Sequence, residues 1–340
     1  MWNLLLLLTF ITAIMADTEC PNVIVHDISD KRLDKNKLRI AQYNVEWLFI
    51  DYYKSSDCPG DGCDWKNNSH AYTHLNYVAN RIKDINPDII NFCEIEGCDE
   101  LNLLNDIIGG NYTPYLKKGK DTSTGQNVGM LTRIDPITSL YRSELRYNYP
   151  VKDSNCGYTG NVTSSGVSKH YITEFIFNDI KTAFISAHLV AFPLVSTRCA
   201  QREAQAYVLQ NIIYNYVKKN YEIIMLGDFN DYDLQVLDIN ENKPKSQVLE
   251  IIKGLKGPYK NEYLLTNVAI NIDQSERYSE WYDSDNNCNT QSQKDFSMID
   301  HILVSDNIKK YIKPFIYHEY DEYCGKLDSD HYPVIIDLIF

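Results

Sequence analysis

Short apolar runs that read as strands alternate with amphipathic stretches that read as helices from Leu38 almost to the C-terminus. No long Pro, Gly or Ser linker and no internal repeat interrupts them. Leu38–Val45 reads as a strand, Leu75, Val78, Ala79, Ile82 and Ile85 recur at helical spacing, and Pro87–Glu94 reads as the next strand. Asn127–Arg133 follows as a strand. Tyr171–Phe177 and Lys181–Leu189 flank Asn178-Asp179-Ile180 as a hairpin. A long helix over about Arg198–Lys219 precedes Glu222–Asn230, and Ser297–Ser305, Lys313–His318 and His331–Phe340 complete the strand set. Mixed strands and helices without a boundary predict a layered α/β sandwich in one domain, although 340 residues would also accommodate two.

The strands share a second property. Each ends in residues capable of acid, base or metal work: Asn44 and Glu46, Glu94, His188, then Asp228, Asn230 and Asp231, then Asp300 and His301, then Asp330 and His331. Any one of these is an ordinary turn former. So many at strand ends predict that a rigid scaffold aims them into a single cleft. His26, His70, His74, His170 and His318 have no motif around them and are expected to be ordinary surface or loop histidines.

The chain carries 33 Lys and Arg against 46 Asp and Glu, a formal net charge of -13, which excludes a polybasic nucleic-acid coat. A polyanion can approach only where a local Lys cluster or a bound cation reverses the field. Lys117, Lys118 and Lys120, with Tyr112 and Tyr115 interleaved, form one basic cluster. Arg198 and Arg202 form another at a helix start, where the helix N-terminus also favours phosphate. Neither contains a base-reading device, so little sequence specificity is expected.

Leu4–Ile14 is an almost unbroken apolar run closed by Ala16 and followed by Asp17, Thr18 and Glu19, the pattern of a secretory signal peptide over residues 1–16. It is too short to span a bilayer comfortably, so no stable membrane insertion is expected. The n-region has no Lys or Arg, which leaves a buried N-terminal element as the other reading. Asn67, Asn111 and Asn161 head glycosylation triplets. Nine cysteines favour a secreted, extracellular protein, or one of the secretory or lysosomal lumen, with most thiols bridged. Cys58 with Cys63, Cys156 with Cys199, and Cys288 with Cys324 are candidate pairs, and spacing does not fix the connectivity. Cys58, Cys63, His70 and His74 only superficially resemble a zinc quartet, and Cys93 inside an apolar strand reads as inert core.

The motifs Y-N-V-E-W-L-F, D-I-I-N-F-C-E-I-E, A-H-L, L-G-D-F-N-D, M-I-D-H-I-L-V and S-D-H-Y-P-V, in that order and spacing from Ala41 to Asp337, resemble the endonuclease/exonuclease/phosphatase superfamily, the DNase I-like phosphodiesterases. C-A-Q-R-E-A-Q-A looks most like secreted nucleases of that group. The resemblance implies a four-layered α/β sandwich of two mixed, mainly antiparallel sheets flanked by helices, in a single domain over residues 17–340. It also implies a Mg²⁺ or Mn²⁺ ion with Glu94 as main ligand and Asn44 and Asp330 completing its surroundings. Asn230 would hold a phosphate oxygen and Asp228 lie beside the attacking water. His331 would contact the phosphate or serve as general base, with Asp300 fixing its tautomer, and His188 would be the second imidazole. Members usually orient that imidazole with a carboxylate. None is evident near T-S-T-G-Q-N, where Gln126 or Asn127 takes the place.

The types suit the chemistry independently: phosphodiester hydrolysis needs a hard cation held by oxygen donors, a base for water and an acid for the leaving oxygen. The expected activity is a secreted, divalent-metal-dependent nuclease acting preferentially on DNA by direct water attack, with no protein partner implied. A neutral-sphingomyelinase-like lipid phosphodiesterase is the alternative, which an exposed aromatic or apolar rim would favour. A catalytically inactive binding module would require loss of one of these residues.

Overall fold

The computed structural model describes residues 19–20, 22–23, 28–50, 65, 67–283, 285, 287–289, 292–320 and 328–340. The leader, His26, the Cys58–Cys63 pair and Cys324 lie outside these residues.

The strand Lys37–Leu48 is followed by the helix α1, Asn68–Ile85, and returns as the parallel strand Ile89–Ile95. Asn67 starts α1 by accepting the His70 amide N–H on its side chain, and Asn86 ends it in a left-handed conformation. Leu75, Val78, Ala79, Ile82 and Ile85 face inward, as their spacing predicts. This unit forms the middle of a six-stranded sheet whose spatial order is Ile312–Ile316, Val334–Ile339, Lys37–Leu48, Ile89–Ile95, Asn127–Thr132 and Thr113–Leu116. A five-stranded sheet runs Leu265–Asn267, Asp300–Ser305, Glu222–Asp228, Ile180–His188 and Lys169–Phe177. Each sheet contains one parallel pair and is otherwise antiparallel. The Lys169–Phe177 and Ile180–His188 strands are the expected hairpin. Asn178 and Asp179 both have positive φ, the backbone that a two-residue turn between right-twisted strands demands.

The period of two along the strands sorts side chains into layers. Ile40, Ile89, Met130, Phe184, Ile224, Leu226 and Ile302 pack in one cluster between the two sheets. The opposite face of the first sheet, with Ala41, Tyr43, Ile90 and Phe92, is covered by α1 and by α2, Cys98–Ile108. The opposite face of the second, with Ile185, Ile223, Met225 and Leu303, is covered by α3, Ser196–Val217, through Val208, Leu209 and Ile213. Helix, sheet, sheet, helix is the four-layered sandwich that the family resemblance implies. The long helix begins two residues earlier than its pattern suggests, and Cys199 in its first turn is tied to Cys156.

Two disulfides join described residues. Cys156–Cys199 matches the sequence expectation, whereas Cys20–Cys98, which pins the N-terminal segment to the start of α2, had no spacing signal. Cys93 is a buried free thiol. Among the described residues no helix is long and apolar enough to cross a membrane.

Candidate active site

The same alternation carries polar residues into the gap between the sheets. On the Lys37–Leu48 strand Leu38 and Ile40 face the other sheet, so Gln42 and Asn44 do too. Ile224 and Leu226 are continued by Asp228, Ile302 and Val304 are preceded by Asp300, and Phe184 is continued by His188. The inner faces therefore end in Asn44, Asp228, Asp300 and His188, with one end of the sandwich polar. Glu94 breaks the rule: parity with Ile90 and Phe92 would send it to the helix side. A left-handed backbone at Glu94 (φ 69°) and a register shift between Cys93 and Ile95 turn it into the cleft instead.

These side chains meet. The Asn44 amide donates to Glu94 Oε1 at 3.2 Å and to Asp228 Oδ2 at 3.0 Å. His188 Nε2 lies 3.4 Å from Asp228 Oδ2 and 3.9 Å from Glu94 Oε1. His331 Nδ1 bonds Asp300 Oδ2 at 2.7 Å, and its Nε2 is 3.8 Å from Asp330. The Trp47 amide donates to Glu94 Oε2, and the Asn230 amide to Asp228 Oδ1. Glu94, His188, Asp228 and His331 form the floor of a cavity of about 570 Å³ also lined by Asn230, Glu280 and Asp330, with Asn44 and Asp300 bonded behind them.

Sequence reasoning missed the supports behind Asp300. The Tyr171 hydroxyl donates to Asn91, whose amide donates to Gln42, whose amide in turn donates to Asp300 Oδ1 at 3.0 Å. Gln42 was accessible by period, two residues before Asn44 on one strand. Glu280 was not. It belongs to a two-residue strand that exists only because Glu280 pairs with Ser297 and bridges to His331. Its carboxylate accepts from the Ser297 hydroxyl, and burial raises its pKa against the opposing pull of His331.

The two imidazoles are driven apart. Burial pushes His188 well below the usual histidine range, and the cations Lys169 and His331 add to this. Burial also opposes protonation of His331, but Asp300, Asp330 and Asp228 outweigh it and hold it well above that range. Burial, then Asp300, pushes Asp228 far above the ordinary carboxylate value.

Several expectations are corrected. Neither Gln126 nor Asn127 bonds His188: Gln126 accepts from Lys169, and Asn127 bonds Gly119, Glu96 and Gly125 backbone atoms. Lys169, facing His188 across the hairpin, occupies that side, and a cation there favours a neutral ring. Arg202 is fully buried and ion-paired with Asp231 at 3.0 Å, so it cannot grip a substrate, and Asp231 is its partner rather than a mere turn former. Lys117 is paired with Glu19 and Lys120 with Glu144, and neither they nor Lys118 line the cavity. Tyr112 and Tyr115 are buried, with their hydroxyls bonded to Pro87 and Asp135. Arg198 stays exposed in the first turn of α3. His74 and His170 are core rather than surface residues: His74 bonds the Val45 carbonyl and His170 accepts the Ser143 amide. His301 faces away from Asp300, as expected, bonding Asn267 and the Asp231 carbonyl.

The donor set fits a hard cation. Atoms of Glu94, His188 and Asp228 lie within 4.8 Å of one another, as do those of Asp228, Asp300 and His331. Lys294, the lone Lys or Arg lining the cavity among the described residues, is paired with Asp285. Clustered carboxylates facing one imidazolium leave negative charge for a divalent ion to balance. Asn44 and Glu94 are bonded to each other. Asp330 stands beside His331, its backbone amide held by Glu46.

The family model described as Endonuclease/Exonuclease/phosphatase family matches residues 41–331. The chain belongs to that family. Its members are hydrolases of phosphodiester or phosphate-ester bonds that use divalent metal ions. A search of curated proteins finds no significant match. Among solved structures, the fold is similar to the 3′ phosphatase NExo from Neisseria bound to a product DNA hairpin (TM-score 0.55, 15% identity, 89% of this chain and 100% of that one). An endonuclease/exonuclease/phosphatase from Bacteroides vulgatus is similar too (TM-score 0.55, 19% identity, 89% and 98%). So is truncated Caenorhabditis elegans TDP2 (TM-score 0.50, 15% identity, 89% and 98%). At these identities the likeness is one of fold.

Proposed function

We propose that this protein is a secreted, divalent-metal-dependent nuclease of low sequence specificity, acting on DNA by direct attack of water, with a single catalytic domain over residues 17–340 behind a leader. The observation that carries the reading is the convergence of Glu94, Asp228, His188 and His331, the last held by Asp300 behind it, on the floor of one open cavity. A divalent ion held by Glu94, with Asn44 and Asp330 nearby, would neutralise the phosphate and stabilise developing charge. Asp228, its basicity raised by burial, takes a proton from water, and neutral His188 beside it fixes that water's orientation. His331, held cationic by Asp300, donates to a phosphate oxygen, and Asn230, whose side-chain amide also donates to the Leu189 carbonyl, lines the same cavity beside it. Arg198, exposed in the first turn of the helix that follows the cavity rim, supplies a cation for the backbone. Two disulfides support an oxidising compartment.

The lipid phosphodiesterase reading has one observation in its favour, an exposed apolar rim at Phe192, Leu194 and Val195. One assay separates the two. Plasmid DNA, RNA and sphingomyelin vesicles are incubated with the protein in Mg²⁺ and in EDTA, beside His331→Ala. DNA cleavage abolished by EDTA and by the substitution is expected; lipid turnover without DNA cleavage overturns the nuclease reading, and cleavage unaffected by EDTA overturns the metal chemistry.

A further inference from the structure

We infer that the rim of the catalytic cavity is a stacking shelf for one unpaired base, so that single-stranded or frayed nucleic acid is the preferred substrate. The inference deepens the nuclease reading and rests on it.

Phe192, Leu194 and Val195 follow the His188 strand directly and line the same cavity as Glu94 and His331. They are 62%, 62% and 49% exposed. An apolar loop with freedom to move turns such residues inward. This one is prevented from doing so. Phe192 sits in the left-handed backbone region (φ 67°), strained for a bulky residue. The buried guanidinium of Arg202 donates to the carbonyls of Val190 at 3.1 Å, Phe192 at 3.3 Å and Pro193 at 3.0 Å. Its Nε is paired with Asp231, which the Ser246 hydroxyl holds in turn. A buried arginine is costly unless every donor is matched. Here its donors are spent on fixing an apolar loop outward at the mouth of the active site.

The apolar surface continues into the cavity. Tyr282, also 62% exposed, lines it together with the half-buried Tyr232 and Phe296. At about 570 Å³ the space is that of a small-molecule site and admits a nucleoside-sized group. A continuous duplex offers this rim only sugars and phosphates, because its bases are stacked on one another. An unpaired base offers a flat π-face that stacks on an aromatic ring whatever its identity. A bilayer is a poorer match. A membrane wedge needs only an outward-facing apolar tip, whereas Tyr232 and Phe296 line the cavity behind this one. The aromatic wall also runs inward to the carboxylates.

The test compares one oligonucleotide sequence, single-stranded and as a duplex, cleaved in Mg²⁺ by the wild type, Phe192→Leu and Phe192→Tyr, each confirmed folded by thermal melting. In a His331→Ala background, binding of the single strand labelled with 2-aminopurine is followed by fluorescence quenching. Faster cleavage of the single strand is expected from the wild type. Phe192→Leu should lower it roughly 5- to 100-fold, the range of one base–aromatic stack, and lose the quenching, with Phe192→Tyr preserving both. Equal single-strand preference in Phe192→Leu and wild type overturns the inference with the nuclease reading intact. Turnover of sphingomyelin vesicles without nucleic-acid cleavage overturns both, and its survival in Phe192→Leu makes the rim a membrane wedge.

Discussion

His188 and His331 are the same residue type a few ångströms from the same aspartate, and their surroundings give them opposite charge states. Lys169 faces one ring and Asp300 holds the other. Asp300→Asn therefore removes the group that keeps His331 cationic and its ring oriented. The expected outcome is a fall in kcat on plasmid DNA of about 10²–10⁴-fold, the range typical of general acid–base groups, with KM little changed. A kcat within threefold of wild type would contradict this role. Away from the site, burial and then Arg142 push His170 down to about 3. Its unfolded form takes up a proton below about pH 6.5, whereas the folded form resists it, so this residue's contribution is lost as pH falls from about 6.5 to 3. His170→Gln keeps an acceptor for the Ser143 amide. It should flatten the loss of stability in that window, measured by urea melts at stepped pH.

Elements place the site only if neighbouring strands approach closely. Gly227 has φ 149°, and a Cβ there would lie 1.8 Å from the Ala187 carbonyl oxygen on the adjoining strand. Gly227→Ala must force apart the two strands that carry His188 and Asp228, so it is expected to fold poorly or to lose activity while retaining substantial secondary structure by circular dichroism. Behind the same sheet, Lys253 and Asp233 are both buried and paired at 2.6 Å. Burial works against the Asp233 carboxylate, but Lys253 wins and holds it below the usual value, so the pair stabilises above about pH 3.8 and fails as pH drops through the depressed value. Lys253→Met leaves a buried carboxylate alone. A loss of about 3–5 kcal/mol in urea unfolding is expected at pH 7, partly recovered in the double variant with Asp233→Leu.

At the scale of the molecule, the two sheets are held apart at one end by carboxylates and together along the rest by an apolar layer. A bound cation should therefore stabilise the whole fold. With Mg²⁺ or Mn²⁺ at about 100 times its dissociation constant, a gain of about 2.7 kcal/mol is expected, seen as a higher Tm than in EDTA. Glu94→Gln should abolish that difference, and an unchanged Tm difference would place the ion elsewhere.

Alternation of apolar and polar residues along the chain determined the sandwich, because a strand with one apolar face has to bury it, and the same period of two aimed Asn44, Asp228, Asp300 and His188 at one gap. Those features are local in sequence and were readable there. Three others were decided by tertiary contact. Glu94 points into the cleft through a left-handed residue, which no side-chain pattern announces. Glu280 and the relay from Tyr171 through Asn91 and Gln42 become neighbours of Asp300 only when distant strands pair. Arg202 reads as a phosphate-binding cation from its place near a helix start. Burial turns it into the brace of the rim, since charge reveals its use only once the space around it is known.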